Sequence, residues 1–507
     1  MGAFSHLSRR RFMKGTALAA GSAAFAPGFL RSRYARAEKR FDIDIPVSWD
    51  SNWQNAALWL SPLIKEEAGV GISSHEIYDS GETTAKLFPQ LLSKNPRFSW
   101  AVYPSLYFGV FAESGVLEPL DDYLAQYEGA AEYDEWVMPR YGEFYTKWGG
   151  KTYGFMVDGD IHNLHYRPSY FNNSEYQKKY SQRFQRELAV PKTWEEFRDV
   201  ARFFTDELSS TGIYGTSVVM APPNFSWGFW FDVAASYGVK YFDENMNPGI
   251  NTPAAAESLE LFKEIVLTGP PGKESLDIGG TIARWESGAD VMSIWWIDLA
   301  EFTVRSQGLE RAQDQGSEVV PGTVQADGTI LNTPVALFSR TVSVPANASE
   351  EQKEAAAYFI YRMSHKDYSE HYCADPYCGS DPFGKTHFGD AAAKMYTEPN
   401  PQRTTSELWP VNDGIFQTLD RAKDHLAGLE KNVERAYPQM YWEGAGEYGD
   451  ALGRNIQKVI AGQVTAKDAL DDAAEEWVKI TQKLGIDSQK AQYAKFLEST
   501  RKVGMKV

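Results

Sequence analysis

Near its start the chain reads FDIDIPVSWD, apolar and polar residues alternating with period two, which predicts a half-buried strand. SNWQNAALWLSPLIKEEAGV then changes to helical spacing and stops at a glycine. HEIYDSGETTAKLFPQLLSKN repeats the order strand, loop, helix, with Ser80 or Thr83 as the cap. FSWAVYPSLYFGVFAESGVLEPLDDYL is a further strand, then a helix and a turn. Alternating β and α segments predict an α/β fold with a largely parallel sheet. In such sheets ligands sit where strands give way to loops, and Trp49, Asp50, Asn52, Tyr103 and Ser105 fall at those ends.

The pattern continues with two short extended runs around Asp158-Gly159-Asp160 in GGKTYGFMVDGDIHNLHYRPSYF. Pro191 and Thr193 precede an acidic first turn in LAVPKTWEEFRDVARFFTDEL, as in a capped helix. More α/β pattern follows, then VALFSRTVSVP as one alternating strand and EEQKEAAAYFIYRMSH as an amphipathic helix. The tail from AKDHLAGLEKNVERAYPQMYW onward reads as helical, with Gly462 separating two helices. In VMSIWWIDLAEF the adjacent Trp295 and Trp296 point to opposite faces of a strand, so both face one cleft only if the strand ends between them. Asp298 reads equally as a ligand for hydroxyls, on the face of Trp296, and as the N-cap of LAEFTVRSQ.

The first residues change where such a protein works. SRRRFMK precedes a modest apolar stretch at 15–30 and a small-x-small cleavage signal, Ala35-Arg36-Ala37. This resembles a twin-arginine export signal, with Arg9 and Arg10 as its pair, an address read by a receptor and not an anchor. The stretch is too short and too rich in Ala and Gly to span a bilayer, and no cysteine stands at the cleavage point to take a lipid. A soluble periplasmic product is expected. Residues 1–37 carry seven Lys/Arg and no Asp/Glu, so their removal takes Lys+Arg from 51 to 44 against 68 Asp+Glu, and the charge from −17 to −24. Such a chain repels phosphate backbones, which excludes nucleic acid as the expected partner. About 470 remaining residues of 507 exceed one hydrophobic core, so two lobes are expected.

Cys373 and Cys378, in HYCADPYCGSDPFG, are the chain's 2 cysteines. In an oxidising compartment they are expected to close a short loop worth roughly 2 kcal/mol, ahead of two free thiols and of a metal site. His371 and His387 flank them, but the spacing fits no common zinc module, and His162 and His165 lack a third ligand nearby. No metal and no cofactor are expected.

Several segments together resemble the extracellular solute-binding proteins of ABC importers, the maltose-binding-protein-like sugar-binding group. FAESGVLEPLDDYL is similar to the exit of that family's second α/β unit, and GGKTYGF…LHYRPSYF to its lobe-crossing segment. PKTWEEF resembles a helix start, NFSW a loop with a sugar-stacking aromatic, and WESGADVMSIWW a run that ends at a ligand-facing Trp. YPQMYW resembles a segment lending another aromatic, and AGQVTAKDALDDA the closing helix. The Cys373–Cys378 loop is outside the usual pattern, and Asn224 stands where an aromatic is common.

The resemblance implies a two-lobe periplasmic-binding-protein fold with a ligand cleft. The lobes would be built from 38–158 with 339–400 and from 163–333 with 401–507, crossing near 158–162 and 333–338. It implies a monomer that captures a sugar, oligosaccharide or polyol and delivers it to a membrane permease, without catalysis. Indole covers the C–H face of a sugar and carboxylates bind its hydroxyl edge. Asp160 then matches a crossing-strand acid that contacts sugar, and Tyr103 and Ser105 match the second cleft loop. Trp296, ahead of Trp295, matches the ligand Trp. Trp227 follows from NFSW, with Trp230 reading also as core, and Trp442 follows from YPQMYW. Asp381 in GSDPFG reads as ligand or turn former. Two rivals stand. One keeps the fold but takes a polyamine or other small charged solute, held by acids and aromatics. The other is an exported enzyme, although the chain has no glycine-rich dinucleotide fingerprint, cysteine cluster or His-Glu-x-x-His.

Overall fold

The strands Phe41–Ser48 and Val70–Tyr78 pair in parallel, which requires the crossover helix Trp53–Ala68 between them. Gly69, at φ 78°, lets the chain leave that helix where a side chain would be strained. In this computed structural model the described residues are 41–48, 53–78, 80–127, 130–221, 225–403, 405 and 412–505, and side chains are described outside 41–55 and 74–85. The expected export signal with Arg9 and Arg10 lies outside them, as do Trp49, Asp50, Asn52 and Asn224.

The α/β expectation holds, but the sheets are mixed. In one, Arg340–Ser343 lies between Ala101–Pro104 and Gly154–Asp158 and runs antiparallel to both. In the other the order is Gly316–Glu318, Asn163–Tyr166, Asp290–Trp295, Tyr214–Ser217. Only the last two are parallel. In each sheet the strand that runs opposite to its neighbours is the one that follows a pass, Arg340–Ser343 in the first and Asn163–Tyr166 in the second. The helix Trp194–Leu208 begins with the expected cap: Glu196 N–H donates to Thr193 Oγ1 at 3.3 Å, and the Glu196 carboxylate accepts from Thr193 N–H. The tail forms the helices Leu419–Arg435, Ala445–Ile460, Ala466–Leu484 and Ile486–Lys502, with Gly462 between the second and third.

The chain passes between the two sheets at 159–162 and returns at 335–340. VALFSRTVSVP, expected as one strand, is broken in its middle. Val335–Ala336 pairs in parallel with Tyr437–Pro438, Phe338 takes φ 68°, and Arg340–Ser343 enters the first sheet. The left-handed Phe338 is the turn that redirects the strand, and its backbone is strained for a residue with a side chain. The passes hold one another: His162 N–H donates to Val335 O at 3.2 Å. Beside them a π turn, Gly142–Thr146, presents Tyr145, whose hydroxyl donates to Ala336 O at 2.8 Å and accepts from Gln439 N–H at 3.2 Å. Tyr141 donates to Gly159 O at 2.6 Å. Two phenols therefore hold both passes and the segment at Gln439.

Replacing Tyr145 with Phe leaves the Ala336 carbonyl and the Gln439 amide buried without that partner. We expect a loss of about 1–3 kcal/mol, read as a lowered thermal unfolding midpoint, and a smaller loss for Tyr123→Phe, whose hydroxyl is only part-buried.

Candidate functional site

Where the passes meet, the sequence places acids that no single segment reveals as a group. Asp158 ends its strand, Asp160 lies in the pass, and Asp381 comes from the loop after the helix Lys366–Cys373. One carboxylate oxygen of each lies within 4.8 Å of the others, and all three residues are buried. The loop approaches closely because residue 159 is glycine: a Cβ there would stand 2.3 Å from Pro382 O. Gly159 N–H donates to Asp381 O at 2.9 Å, Asp381 N–H to Asp158 Oδ1 at 2.8 Å, and Ile297 N–H to Asp381 Oδ2 at 3.2 Å. Arg340, just past the Phe338 turn, donates to Asp160 Oδ2 and to Phe338 O. Ser339 Oγ donates to Asp160 O at 2.8 Å.

Two further acids join from the helix Leu299–Gln307. Asp298 occupies its N-cap position but makes no side-chain cap bond, so its carboxylate is directed elsewhere. Burial, then the nearby Asp160, pushes Asp298 up to about 7. Burial, then Asp298, pushes Glu301 up to about 8. Asp158, Asp160 and Asp381 are raised as well, chiefly by burial. Arg340 opposes the rise at Asp158 and Asp160. The spacing of the three aspartates suits a small cation. However, Arg340 already brings a positive charge to Asp160, so the cluster is a neutralised junction and is not read as a metal centre.

Around this junction the half-buried groups are Asp298, Arg340, Phe225 and Phe338. Phe225 and Phe338 lie with ring centroids 5.0 Å apart. Beneath them Trp296 packs edge-on to Phe225 and Phe229, and its indole N–H donates to Leu337 O at 2.7 Å. His162 stacks on Phe229 at 4.1 Å, and its Nδ1 lies 2.6 Å from Asp232 Oδ2. Asp232 Oδ1 accepts from Val335 N–H at 2.7 Å, which ties the helix Ser226–Ser236 to both passes.

The structure brings Asp160, Asp298, Asp381, Trp295 and Trp296 together and separates most other expected ligands from them. The strand does end at Trp295, yet both indoles are buried; Trp296 is packed against Phe225 and Phe229 and bonded to Leu337 O, a correction to its expected exposed stacking role. Tyr103 is corrected to core, its hydroxyl 2.6 Å from Ser343 Oγ between strands. Ser105 is fully buried, and its Oγ accepts from Gln439 Nε2 at 2.5 Å. Trp227 packs on Tyr241 and Phe231, Trp230 donates to Ser258 Oγ at 3.1 Å, and Trp442 is enclosed by Tyr241, Tyr493 and Phe496. All three are core, because an indole on a helix or segment covered from both sides removes its large apolar area from water.

The expected disulfide is absent as well. Cys373 and Cys378 are buried thiols that are not bonded to each other. Cys373 Sγ turns to Ser380 Oγ and Asp381 O, each at 3.8 Å, while Cys378 turns toward the Ala56 backbone. Sequence reasoning did not find Asp158, Glu301, Phe225, Phe338 and Arg340. NFSW held the signal for Phe225, two residues before the Trp that was chosen. Nothing local marks Arg340.

Residues 59–377 match the family model described as bacterial extracellular solute-binding protein. No curated protein matches the sequence. Among solved structures, an ABC transporter solute-binding protein from Agrobacterium radiobacter K84 in complex with ribitol is similar at 21% identity and TM-score 0.66, over 87% of this chain and 98% of that one. One from Agrobacterium vitis S4 with bound D-mannitol follows at 19% and 0.65, over 88% and 99%. The maltose-bound MalE3 of T. maritima follows at 16% and 0.66, over 87% and 99%.

Raised carboxyls set the pH response. Unfolded, Glu and Asp release their protons near about pH 4, whereas folded Asp298 and Glu301 hold theirs to about 7 and about 8. Between these limits the folded protein binds more protons, so their contribution to stability falls as pH rises through that window and is flat above it. We expect the thermal midpoint to fall from pH 5 to pH 8, and Glu301→Gln to reduce that slope.

Proposed function

Because the chain belongs to the bacterial extracellular solute-binding protein family, we propose that it captures a sugar, oligosaccharide or polyol between its two lobes and hands it to an ABC permease. The observation that carries this reading is the pair of buried Asp160 with half-buried Arg340 at the junction of the passes, beside Asp298 and the rings of Phe225 and Phe338. A carboxylate accepts from one hydroxyl of a diol while a guanidinium donates to its neighbour, and bonds to charged groups are the stronger ones. Aromatic rings cover the C–H face between them. The similar structures with bound ribitol, D-mannitol and maltose support the same class of ligand.

The lobes are 38–158 with 339–400 and 163–333 with 401–507, joined at 158–162 and 333–338. The two sheets support this division, while the last helix leans across it: Lys495 pairs with Glu113 at 2.5 Å and lies over Trp148. Export by the twin-arginine route, with Arg9 and Arg10 as its signal, places the working protein in the periplasm as a monomer. Among the described residues no helix is long and apolar enough to cross a membrane. The reading assigns no chemical step to the site.

Intrinsic tryptophan fluorescence, titrated with a panel of sugars and polyols, is expected to respond to at least one at micromolar concentration or below. Asp160→Asn should weaken that ligand by about tenfold or more, the range for losing a bond to a charged group. Silence across the panel, or conversion of a panel member to product, would overturn the proposal.

A further inference from the structure

Among the described residues three non-glycine positions have a positive φ: Gln185 at 56°, Met246 at 63° and Phe338 at 68°. Two of them have a local cause. Gln185 ends the helix Ser174–Phe184, where its N–H donates to Ser181 O at 3.0 Å, and Met246 lies in a turn closed by Asp243 N–H donating to Asn247 O at 2.9 Å. Phe338 ends no helix, and the strands on either side of it belong to different sheets. A bulky side chain in this region is rare, because its Cβ crowds the following carbonyl oxygen. Such a conformation persists only where surrounding groups hold it.

The holding groups divide at this one residue. Up to Leu337 the returning pass is held by the second lobe, 163–333 with 401–507. Val335–Ala336 pairs with Tyr437–Pro438, and Leu337 O accepts from Trp296 Nε1 at 2.7 Å. The Leu337 side chain fits where residue 228 is glycine, since a Cβ there would stand 2.6 Å from Leu337 Cδ2. From Ser339 onward the chain is held by the first lobe. Ser339 O accepts from Ser105 N–H at 2.7 Å, and Arg340 pairs with Pro104 and Asp158 in the sheet. Phe338 itself is gripped from both directions. Its ring centroid lies 5.0 Å from that of Phe225, and its N–H donates to Gln439 Oε1 at 3.3 Å. Its carbonyl accepts from the Arg340 guanidinium, which Asp160 also holds. Hinges are single residues or short runs that absorb a change in φ and ψ, and on this pass the grips leave only Phe338 between them.

We propose that Phe338 is a strained pivot: its left-handed backbone is imposed while both lobes grip it, and it relaxes to an extended conformation when they part. This rests on the two-lobe capture reading above. The strain opposes closure, and a bound solute offsets it, so the empty protein favours the open arrangement. Glycine at this turn would bend at no cost and set no such bias.

Four variants of the whole protein, Phe338→Gly, Phe338→Asn, Phe338→Ala and Phe338→Val, test this. All four remove the phenyl ring, so the differences among them report the backbone. Glycine takes the left-handed region freely, asparagine more readily than alanine, and a β-branched residue least. Spin labels on Lys94→Cys and Lys479→Cys, exposed on the first and second lobe, report the distance between lobes without any solute, and the native thiols are buried. Two distances are expected, with the share belonging to the gripped arrangement rising in the order Val, Ala, Asn, Gly. Its ratio to the other distance should be about fivefold or more greater for Gly than for Ala. Calorimetric titration with ribitol, D-mannitol and maltose should show affinity rising in the same order for whichever of them binds. The Gly and Ala pair decides the outcome, with folding checked by circular dichroism. Identical distance distributions in that pair overturn the pivot, including the case where only the thermal midpoint rises, since the turn is then strained in both arrangements. Equal affinities in the pair overturn it as well. Distances that shift in the expected order while none of the solutes binds count against the sugar and polyol reading and leave the pivot standing.

Discussion

A buried carboxylate needs donors or a counter-charge, and the meeting of the crossing passes is organised by that need. Asp160 is 8% exposed and Asp158 3%, and they stand two residues apart on the same pass. Left alone they would repel each other and both would resist ionising. Arg340 answers Asp160 from the returning pass, and the amide of Asp381 answers Asp158 from a third segment. Each neutralising group arrives from a different part of the chain, so satisfying the charges also fixes where the passes cross. The close approach at Gly159 and the left-handed turn at Phe338 follow from the same demand, since both bring backbone and guanidinium within reach of the acids.

The hydrogen bonds around this junction form a second layer with no charge of its own. Tyr141 and Tyr145 clasp the carbonyls of Gly159 and Ala336, and Gln439 joins Ser105 to Phe338 N–H, the latter at 3.3 Å. Asp232 spends one oxygen on His162 and the other on Val335 N–H. These groups bear on the backbone of the passes. They explain why Ser105, expected beside a ligand, is fully buried: its hydroxyl is an acceptor in the clasp.

Much of the fold was legible because its signals are local. The Thr193–Glu196 cap, the Gly69 and Gly462 stops and the end of the strand between Trp295 and Trp296 each depend on a few adjacent residues. The site was legible in part. Asp160, Asp298 and Asp381 were found as acids near turns, but their partner Arg340 is 180 positions from Asp160, and no period reports such a pairing. The tryptophans misled for a physical reason. An indole suits a sugar face and a core equally well, and only the tertiary cover decides between them. On the helix Ser226–Ser236 every residue is buried, so Trp227 and Trp230 had no open side. Phe225, just before that helix, and Phe338, at a turn, kept one.

On the function proposed here, the acid-rich floor also bears on when the lobes close. An open gap lets water solvate Asp298 and the Asp160–Arg340 pair, whereas closing over an empty floor removes that water and returns nothing. Burying charge without new partners is costly. A solute that donates to the carboxylates and accepts from the guanidinium supplies those partners, so its binding energy is larger in the closed arrangement than in the open one. Such a difference is what a ligand needs to shift a conformational equilibrium. The cost of burying the Asp160–Arg340 pair and Asp298 without new partners is then the same feature that couples capture to closure, and a floor of aromatic rings alone would bind a sugar but lack that coupling.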